Sequence, residues 1–488
     1  SQRCPKMRWA SSIAVAVVIG LTLDSPATPM GVAAGRVALP GVMRLRGGFP
    51  GEKFLKKLGG HRNGGEENAA PPAADNTREM SKREMDFIAR VQASAKKEEA
   101  NTEALVATRN RNLNIQRIKN AEESGRLVGF ENLGNTCFLN SVLINLVNTP
   151  PLRDAVLIDR DGPKRSHEGE LTEELARVLR EWWLEPTHDY ITPSGLLDEL
   201  CKAEPRFKGF QQQDAHEAFQ ALLEAVRVEQ TGKGASASTQ ISRDAGKGGG
   251  AVHSVFEGQT ESRVACRKYS HVSRTLERFV DLSVEIPDQA SLAIQRSGNP
   301  RYYAPEVGSP PRSAGLGAAP PSIEDCLAFF CRQETLDNDG GTSWKCESCA
   351  KAGGDARDSK GGTKRLSIQT VPAVLVVHLK RFVARGGALR KSSAPVRLKK
   401  TLNLAPFLSP SLDDTDESDP EAVYELFGVV NHQGELNAGH YTAFVRQAGA
   451  AAGEWAYVSD RQHRPASEAE VLASEAYLLF YRRVPGMQ

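Results

Sequence analysis

Two stretches of the chain repeat apolar residues every three or four positions, and three later stretches are short and rich in branched and aromatic residues. The first spacing predicts amphipathic helices over residues 171–183 and 215–226. The second pattern predicts strands over residues 371–379, 426–430 and 441–445. Because the helices come first and the strands follow, we expect an α+β domain with an antiparallel sheet.

The density of apolar positions divides the chain into three parts. A core-forming pattern covers residues 128–484. Residues 52–127 are polar and charged, which predicts a linker and then a charged helical stalk, and residues 1–51 are hydrophobic and basic. Stretches rich in glycine, proline or acidic residues interrupt the core pattern and predict inserted surface loops near residues 231–251, 297–321 and 412–421.

The N-terminal segment has features of a membrane anchor and of a targeting peptide. Residues 9–23 form an uncharged, mostly apolar run behind Lys6 and Arg8, but these 15 residues are short for a bilayer span, which needs roughly 20. Residues 25–51 contain arginines and no acidic residue, as organelle-targeting segments do. We expect an anchor or a targeting segment, and a buried helix is the alternative.

Composition excludes several classes of protein. With 488 residues, 40% of them hydrophobic, the chain can bury a sizeable core. Its 62 basic and 60 acidic residues give a net charge of +2, so we expect no nucleic-acid partner. Eight thinly spread cysteines do not form the dense framework of a small secreted protein, and we expect reduced thiols.

A cysteine and a histidine are the candidate nucleophile and base. Cys137 follows a turn-rich segment and is predicted to begin a helix, where backbone N–H groups and the helix dipole lower the pKa of a thiol. His440 ends a glycine-containing loop and begins a predicted strand. A thiol nucleophile needs such a base within hydrogen-bond reach. A structural cysteine and an isolated histidine are the alternatives.

The segments around both residues resemble the cysteine and histidine boxes of the ubiquitin-specific protease family. Residues 129–141 and residues 439–441 carry this resemblance. Further blocks resemble those of the family and follow in the family's order, at residues 212–217, 371–382 and 477–481. Such a set in order is far more specific than any one motif.

The resemblance implies a papain-like fold with thumb, palm and fingers subdomains, and thiol-dependent hydrolysis of isopeptide bonds at the C-terminal glycine of ubiquitin. Cys137 would attack the carbonyl carbon, and His440 would take the thiol proton and then protonate the leaving amine. Ubiquitin and ubiquitinated proteins would be the partners of a monomer that requires no organic cofactor. The alternatives are a catalytically weak ubiquitin-binding family member and a papain-like protease of general peptides.

Three more residues match or replace catalytic positions of the family. Asn132 matches the asparagine that stabilises the oxyanion. The family's Asp or Asn that orients the histidine lies four positions after a tryptophan; here Trp455 places Ser459 there, with Asp460 next. Since neighbouring strand residues point to opposite faces, we expect Ser459 rather than Asp460 to contact His440. A serine brings no negative charge, which favours the weak-enzyme alternative.

The resemblance also implies substrate contacts. Asp214 matches the position that holds the extended ubiquitin tail, and Gly439 and Tyr441 flank the candidate base. Asp214 also precedes a predicted helix, so capping of that helix is an alternative role that is compatible with the first.

Cysteines of the expected fingers are candidate ligands of a structural zinc ion. The fingers of the family hold zinc between two CxxC pairs, and Cys346 and Cys349 form the second pair. The first pair is broken, because Tyr269 stands three positions after Cys266. Structural zinc takes four ligands, so the site is incomplete unless His271 contributes. Fingers with and without zinc both stay open.

The C-terminal segment resembles that of the family's mitochondrial outer-membrane member, which carries an anchor ahead of its catalytic domain. Together with the apolar N-terminus, this resemblance predicts a cytosol-facing, membrane-anchored protein, with the mitochondrial outer membrane as its first location. A soluble protein of the cytosol or nucleus and an organelle-targeted protein are the alternatives.

Overall fold

The structure is a computed structural model that describes residues 82–158, 169–185, 189–232, 250–267, 271–298, 319–336, 346, 361–385, 388–409, 422–435, 438–446 and 454–484. The predicted N-terminal segment 1–51 and the inserted loop 412–421 lie outside these residues, as does most of the other two loops. Within the described ranges, no helix combines the length and the hydropathy that a bilayer span requires. The anchor and the location stay predictions.

The chain divides into two compact units, Ser1–Val106 and Ala107–Gln488. One long helix, α1 (Lys82–Ser124), contains the described part of the first unit and begins the second. In the first unit most of its side chains are exposed. In the second unit its residue Ile118 is buried in the core.

The other helices of the second unit come mostly before the strands. Their bounds are α2 (Cys137–Val147), α3 (Pro150–Leu157), α4 (Glu170–Trp183), α5 (Ser194–Ala203), α6 (Ala215–Thr231), α7 (Ala251–Ser254), α8 (Gln289–Gly298), α9 (Ile323–Phe330) and α10 (Glu468–Leu472). Helices α4 and α6 confirm the two helices predicted from periodicity. Every residue of α2 is buried, because α2 packs between other helices and the sheet.

Strands fill most of the remaining described chain. Their bounds are β1 (Gly129–Phe130), β2 (Tyr190–Ile191), β3 (Gly258–Cys266), β4 (Val272–Phe279), β5 (Leu282–Val284), β6 (Gln333–Leu336), β7 (Gly362–Thr370), β8 (Val374–Leu379), β9 (Phe382–Arg385), β10 (Ala388–Lys391), β11 (Thr401–Asn403), β12 (Val423–Glu435), β13 (Ala438–Arg446), β14 (Trp455–Ser459), β15 (Gln462–Ala466) and β16 (Ala476–Arg483).

The described strands form four sheets, of which β1-β2 and β9-β10 are two-stranded. The main sheet has eight described strands, in the order β15-β14-β13-β12-β16-β8-β5, with β11 beside β12. The smaller sheet has the order β4-β3-β7-β6. The predicted antiparallel sheet is confirmed except at one edge, where β5 pairs with β8 in parallel. The expected α+β class is therefore confirmed.

Side chains of the main sheet alternate between two hydrophobic cores. Val430 on β12 and its partner Ala443 on β13 face the core that contains α2. Val429 and its partner Phe444 face the second core, on the other side of the sheet. Alternation with a period of two thus determines which residues near His440 face each side.

Candidate active site

Cys137 is the first residue of α2 and follows a tight turn. Gly134 and Asn135 have φ angles of 104° and 59°, and these left-handed conformations reverse the chain just before the helix. The Thr136 hydroxyl accepts a hydrogen bond from the backbone N–H of Leu133 at 2.9 Å, which closes the turn. The predicted helix start is confirmed, and it places the thiol beside β13.

Burial, rather than the helix start, dominates the acidity of this thiol. Cys137 is only 2% exposed, and burial raises the pKa of its thiol because a thiolate loses hydration there. The backbone N–H groups of Tyr441, Phe138 and Cys137 lower this pKa, while the charge of Asp460 raises it. The expected lowering of the pKa is therefore wrong: the N–H groups are present, but desolvation outweighs them.

The raised pKa of the Cys137 thiol predicts slow alkylation of the resting protein at neutral pH. Only the thiolate reacts with iodoacetamide, so the alkylation rate of Cys137 should rise with pH and reach its midpoint at a higher pH than that of a short cysteine peptide. Mass spectrometry of the Cys137 peptide after timed alkylation measures this rate. A midpoint at or below that of the peptide would contradict the prediction.

The candidate base lies at the edge where β13 meets β14. His440 Nε2 is 2.9 Å from the Ser459 hydroxyl, which leaves Nδ1 as the nitrogen that can serve the thiol. The Cys137 sulfur lies at the backbone N–H of Tyr441, the residue after His440. The structure thus places Cys137 against the residue that follows His440, and places His440 against Ser459, from three elements.

A glutamine holds the loop that carries the histidine. The side-chain amide of Gln212 donates to the Gly439 carbonyl at 2.6 Å and accepts from the Gly439 N–H at 2.8 Å. A Cβ atom at Gly439 would overlap the ring of His432, so only glycine fits there. Gln212 has a structural role that the sequence reasoning did not give it, although it lies inside one of the blocks with family resemblance.

Asp460 contacts asparagines rather than the histidine. Its Oδ2 is 4.0 Å from His440 Nε2 but accepts a hydrogen bond from the Asn132 amide at 2.9 Å. Its Oδ1 accepts from the Asn140 amide at 2.7 Å. Asp460 follows the end of β14 with a φ of 53°, so strand alternation does not determine its direction.

Asn132 is fixed in one orientation. Its Oδ1 accepts hydrogen bonds from the backbone N–H groups of Gly134 and Thr136, at 3.0 and 3.2 Å. Its amide N–H₂ therefore points away from this turn and towards Asp460, and one of the two N–H bonds stays available. The sequence reasoning missed Asn140, whose signal is a polar amide in a mostly apolar helix; the residue is 2% exposed.

Asp214 caps α6 and also bonds a tyrosine. Its Oδ1 accepts from the backbone N–H groups of His216 and Glu217 at 2.7 and 3.3 Å, and its Oδ2 accepts from the Tyr477 hydroxyl at 2.6 Å. A carboxylate has about four acceptor positions, so the capping role leaves room for a substrate contact. Tyr441 is 5% exposed and its ring packs against Tyr477, so the ring offers little surface for the predicted substrate contact.

His216, Asp281 and His378 form a buried polar cluster with ligand atoms within 4.8 Å of one another. The two imidazole rings stack with centroids 3.8 Å apart and planes 22° apart, so their nitrogen lone pairs lie in nearly parallel planes, a poor arrangement for binding one ion. Asp281 accepts hydrogen bonds from His216, Gln220 and Ser283 at 2.8 to 3.1 Å. Burial lowers the pKa of His378 to about 3 and keeps this ring neutral. The cluster is a hydrogen-bond network that joins α6 to the sheet.

Two of the candidate zinc ligands lie at the smaller sheet. Cys266 ends β3, and it contacts Cys346; these residues are 3% and 1% exposed. Two thiols in contact fit one half of a tetrahedral thiolate site. Cys349 and Tyr269 lie outside the described residues. Fingers with zinc and fingers without it therefore both stay predictions.

Phe210 is a further residue that the sequence reasoning missed. Its side chain is 74% exposed, and its ring lies against Gly134 of the turn before Cys137. Its carbonyl accepts a hydrogen bond from the Asn135 amide at 2.7 Å. An exposed aromatic ring at the rim of the site is available for contact with substrate.

Comparison with known proteins agrees with this geometry. A model of the ubiquitin carboxyl-terminal hydrolase family matches residues 128–481. Ubiquitin carboxyl-terminal hydrolase 21 of Mus musculus is 30% identical over 392 residues, which cover 73% of this chain and 61% of that protein. Ubiquitin carboxyl-terminal hydrolase 2 of Homo sapiens is 31% identical over 386 residues, which cover 74% and 56%. The chain thus spans less than two thirds of the length of these relatives.

Solved structures show the same fold. A chain of the SAGA DUB module, which contains Ubp8, Sgf11, Sus1 and Sgf73, bound to monoubiquitin, aligns with a TM-score of 0.54 and 26% identity over 75% of this chain and 70% of that chain. The module bound to ubiquitin aldehyde gives a TM-score of 0.54 and 26% identity, over 74% and 70%. The likeness confirms the expected papain-like α+β fold. The chain belongs to the ubiquitin carboxyl-terminal hydrolase family.

Proposed function

We propose that the protein is a deubiquitinase that hydrolyses isopeptide bonds at the C-terminal glycine of ubiquitin. The observation that carries the proposal is the approach of the buried Cys137 sulfur to the backbone N–H of Tyr441, next to His440, whose imidazole contacts the Ser459 hydroxyl. Family membership and the ubiquitin-bound structural neighbours support the choice of substrate. Ubiquitin and ubiquitinated proteins would be its partners.

The mechanism depends on which groups of the site carry protons. Because the pKa of the Cys137 thiol is raised, the resting sulfur carries its proton, and attack on the carbonyl requires that His440 Nδ1 take this proton. The sulfur then forms a thioester with the ubiquitin carboxyl group, and His440 returns the proton to the leaving lysine amine. Water, deprotonated by the same imidazole, attacks the thioester and releases the free carboxylate.

Asn132 would stabilise the oxyanion of each tetrahedral intermediate. Its amide is held by two backbone N–H groups on one side and by Asp460 on the other, so it need not reorganise when charge develops. A donor of this kind contributes about 3 kcal/mol to transition-state stabilisation. Asp460 would then act through Asn132, as a positioning residue.

A catalytically weak ubiquitin-binding protein is the second candidate, and one observation favours it. Ser459 replaces an acidic or amide side chain as the partner of His440 and carries no charge to stabilise an imidazolium. Turnover separates the two candidates, because both would bind ubiquitin.

The proposal predicts that the full chain reacts with ubiquitin that carries a C-terminal electrophile and releases the fluorophore from a ubiquitin–fluorophore conjugate. Casein is the control substrate and should stay intact, because the proposed specificity is for ubiquitin. Labelling with turnover supports the deubiquitinase. Ubiquitin binding without either would leave the weak binding protein, and casein cleavage would indicate a general protease.

A further inference from the structure

Three polar side chains lie in a row across neighbouring strands behind His440. Asn431 on β12 is the direct partner of Thr442 on β13. The pairing of Ala443 with Val458 places Thr442 beside Ser459 on β14. Since directly paired residues share a face of the sheet, Asn431, Thr442 and Ser459 all point to the side opposite α2.

Two members of this row are buried polar groups among apolar neighbours. Asn431 is 4% exposed and Thr442 is 1% exposed, on the face that also carries Phe444. Neither the Asn431 Oδ1 atom nor the Thr442 hydroxyl has a hydrogen-bond partner among the described residues. Burying an unpaired hydroxyl costs free energy, and valine would fill the same space as Thr442 without this cost. The Thr442 hydroxyl therefore needs a polar partner.

The hydroxyl of Ser459 needs a partner that fixes the direction of its proton, which a carboxylate in its place would not need. A carboxylate can only accept a hydrogen bond from His440 Nε2, whereas a hydroxyl can accept or donate. When Ser459 accepts, Nε2 carries the proton and Nδ1 is free to take the proton of Cys137. When Ser459 donates, the proton of the neutral imidazole sits on Nδ1, and the ring cannot act as the base.

We propose that Thr442 and Asn431 are positioning residues that hold an ordered water against Ser459 and so keep its hydroxyl proton away from His440. The proposal rests on the proposed deubiquitinase function. Ser459 and Asn431 lie on the strands to either side of Thr442, each about 4.8 Å from it, so a water above Thr442 lies between the two side chains and has the two to four polar partners that a buried water needs. Ser459 donates to this water, the water donates onward to Asn431 Oδ1, and Thr442 holds it from the middle strand. The water gives one proton to Asn431 Oδ1 and the other to the Thr442 hydroxyl, so it can only accept from Ser459, and this arrangement selects the productive tautomer.

The test compares Thr442→Val, which removes the hydroxyl at equal volume, with Thr442→Ser, which keeps it. We expect Thr442→Val to lower kcat about tenfold, by analogy with the lower end of the losses for outer partners of metal-binding histidines, with KM for the ubiquitin–fluorophore conjugate unchanged. Thr442→Ser should stay within about twofold of the wild-type kcat. Equal losses in both variants, or no loss in Thr442→Val, would overturn the proposal.

A double-mutant cycle separates positioning from a merely structural role. Ser459→Asp supplies a group that only accepts, so Thr442→Val should have no further effect on kcat in that background. The same fold loss in both backgrounds would show that Thr442 acts on structure alone. If Thr442→Val does not fold, Asn431→Leu is compared with Asn431→Asp, which keeps an acceptor, and the same expectations apply.

A spectroscopic readout keeps this proposal distinct from the proposed function. In ¹⁵N-NMR of the full chain, the His440 ring should carry its proton on Nε2 in the wild type and show a mixture of tautomers in Thr442→Val. If the wild-type chain shows no turnover but the tautomer still shifts in Thr442→Val, only the deubiquitinase function is contradicted. An unchanged tautomer in Thr442→Val contradicts the water-mediated positioning.

Discussion

Cys137→Ala is expected to abolish turnover of ubiquitin conjugates and labelling by the ubiquitin electrophile while ubiquitin binding is retained. Removal of a covalent nucleophile costs roughly 10⁶-fold in kcat, because no other group forms the thioester. The change deletes one sulfur atom at the first position of α2 and leaves the turn formed by Gly134 and Asn135 intact. Titration of fluorescent ubiquitin into the variant measures the retained affinity.

Cys201→Ala is the matched control for this variant. Cys201 lies on α5, is partly exposed and forms no disulfide, so loss of its thiol should change neither turnover nor labelling. Labelling that persists in Cys137→Ala and disappears in Cys201→Ala would show that Cys201, and not Cys137, is the nucleophile. Loss of ubiquitin affinity in Cys137→Ala would indicate that the start of α2 shapes the binding surface.

Local sequence patterns predicted the elements well and the acidity of the thiol badly. The start of α2 at Cys137 follows from turn residues that come directly before an apolar run, a purely local signal. The pKa of the same thiol depends on how completely β13 and the helices cover it, which is a property of tertiary packing. A helix dipole can be inferred from sequence, but the burial that outweighs it cannot.

The direction of Asp460 shows a second limit of pattern reasoning. Alternation along β14 assigns Ser459 to the side of His440, and the observed contact agrees with that expectation. The same rule says nothing useful about Asp460, because the strand ends one residue earlier and the backbone takes a left-handed conformation. Its partner Asn140 is distant in sequence, so only the folded chain shows that the two residues meet.

Asp460 joins Asn132 to the interior of α2. Each of its two carboxylate oxygens accepts from one amide, Oδ2 from Asn132 and Oδ1 from Asn140. Its side chain is 18% exposed, so water only partly replaces a lost hydrogen bond. In an asparagine, an N–H₂ group would replace one of these two oxygens and would face the N–H₂ group of Asn132 or Asn140. One of these two asparagines would then lose its acceptor.

Asp460→Asn is therefore expected to lower kcat about 10²–10³-fold with little change in KM, the loss that follows when an oxyanion donor is removed. Asparagine tolerates a positive φ as aspartate does, so the backbone turn should persist. Asn132→Ala should cost a similar factor, and the double variant should cost no more than either alone, because both act through one amide.

The charge of Asp460 also raises the pKa of the Cys137 thiol, so Asp460→Asn should speed alkylation by iodoacetamide at fixed pH while turnover slows. Turnover and alkylation that fall together would instead indicate a general disruption of the site.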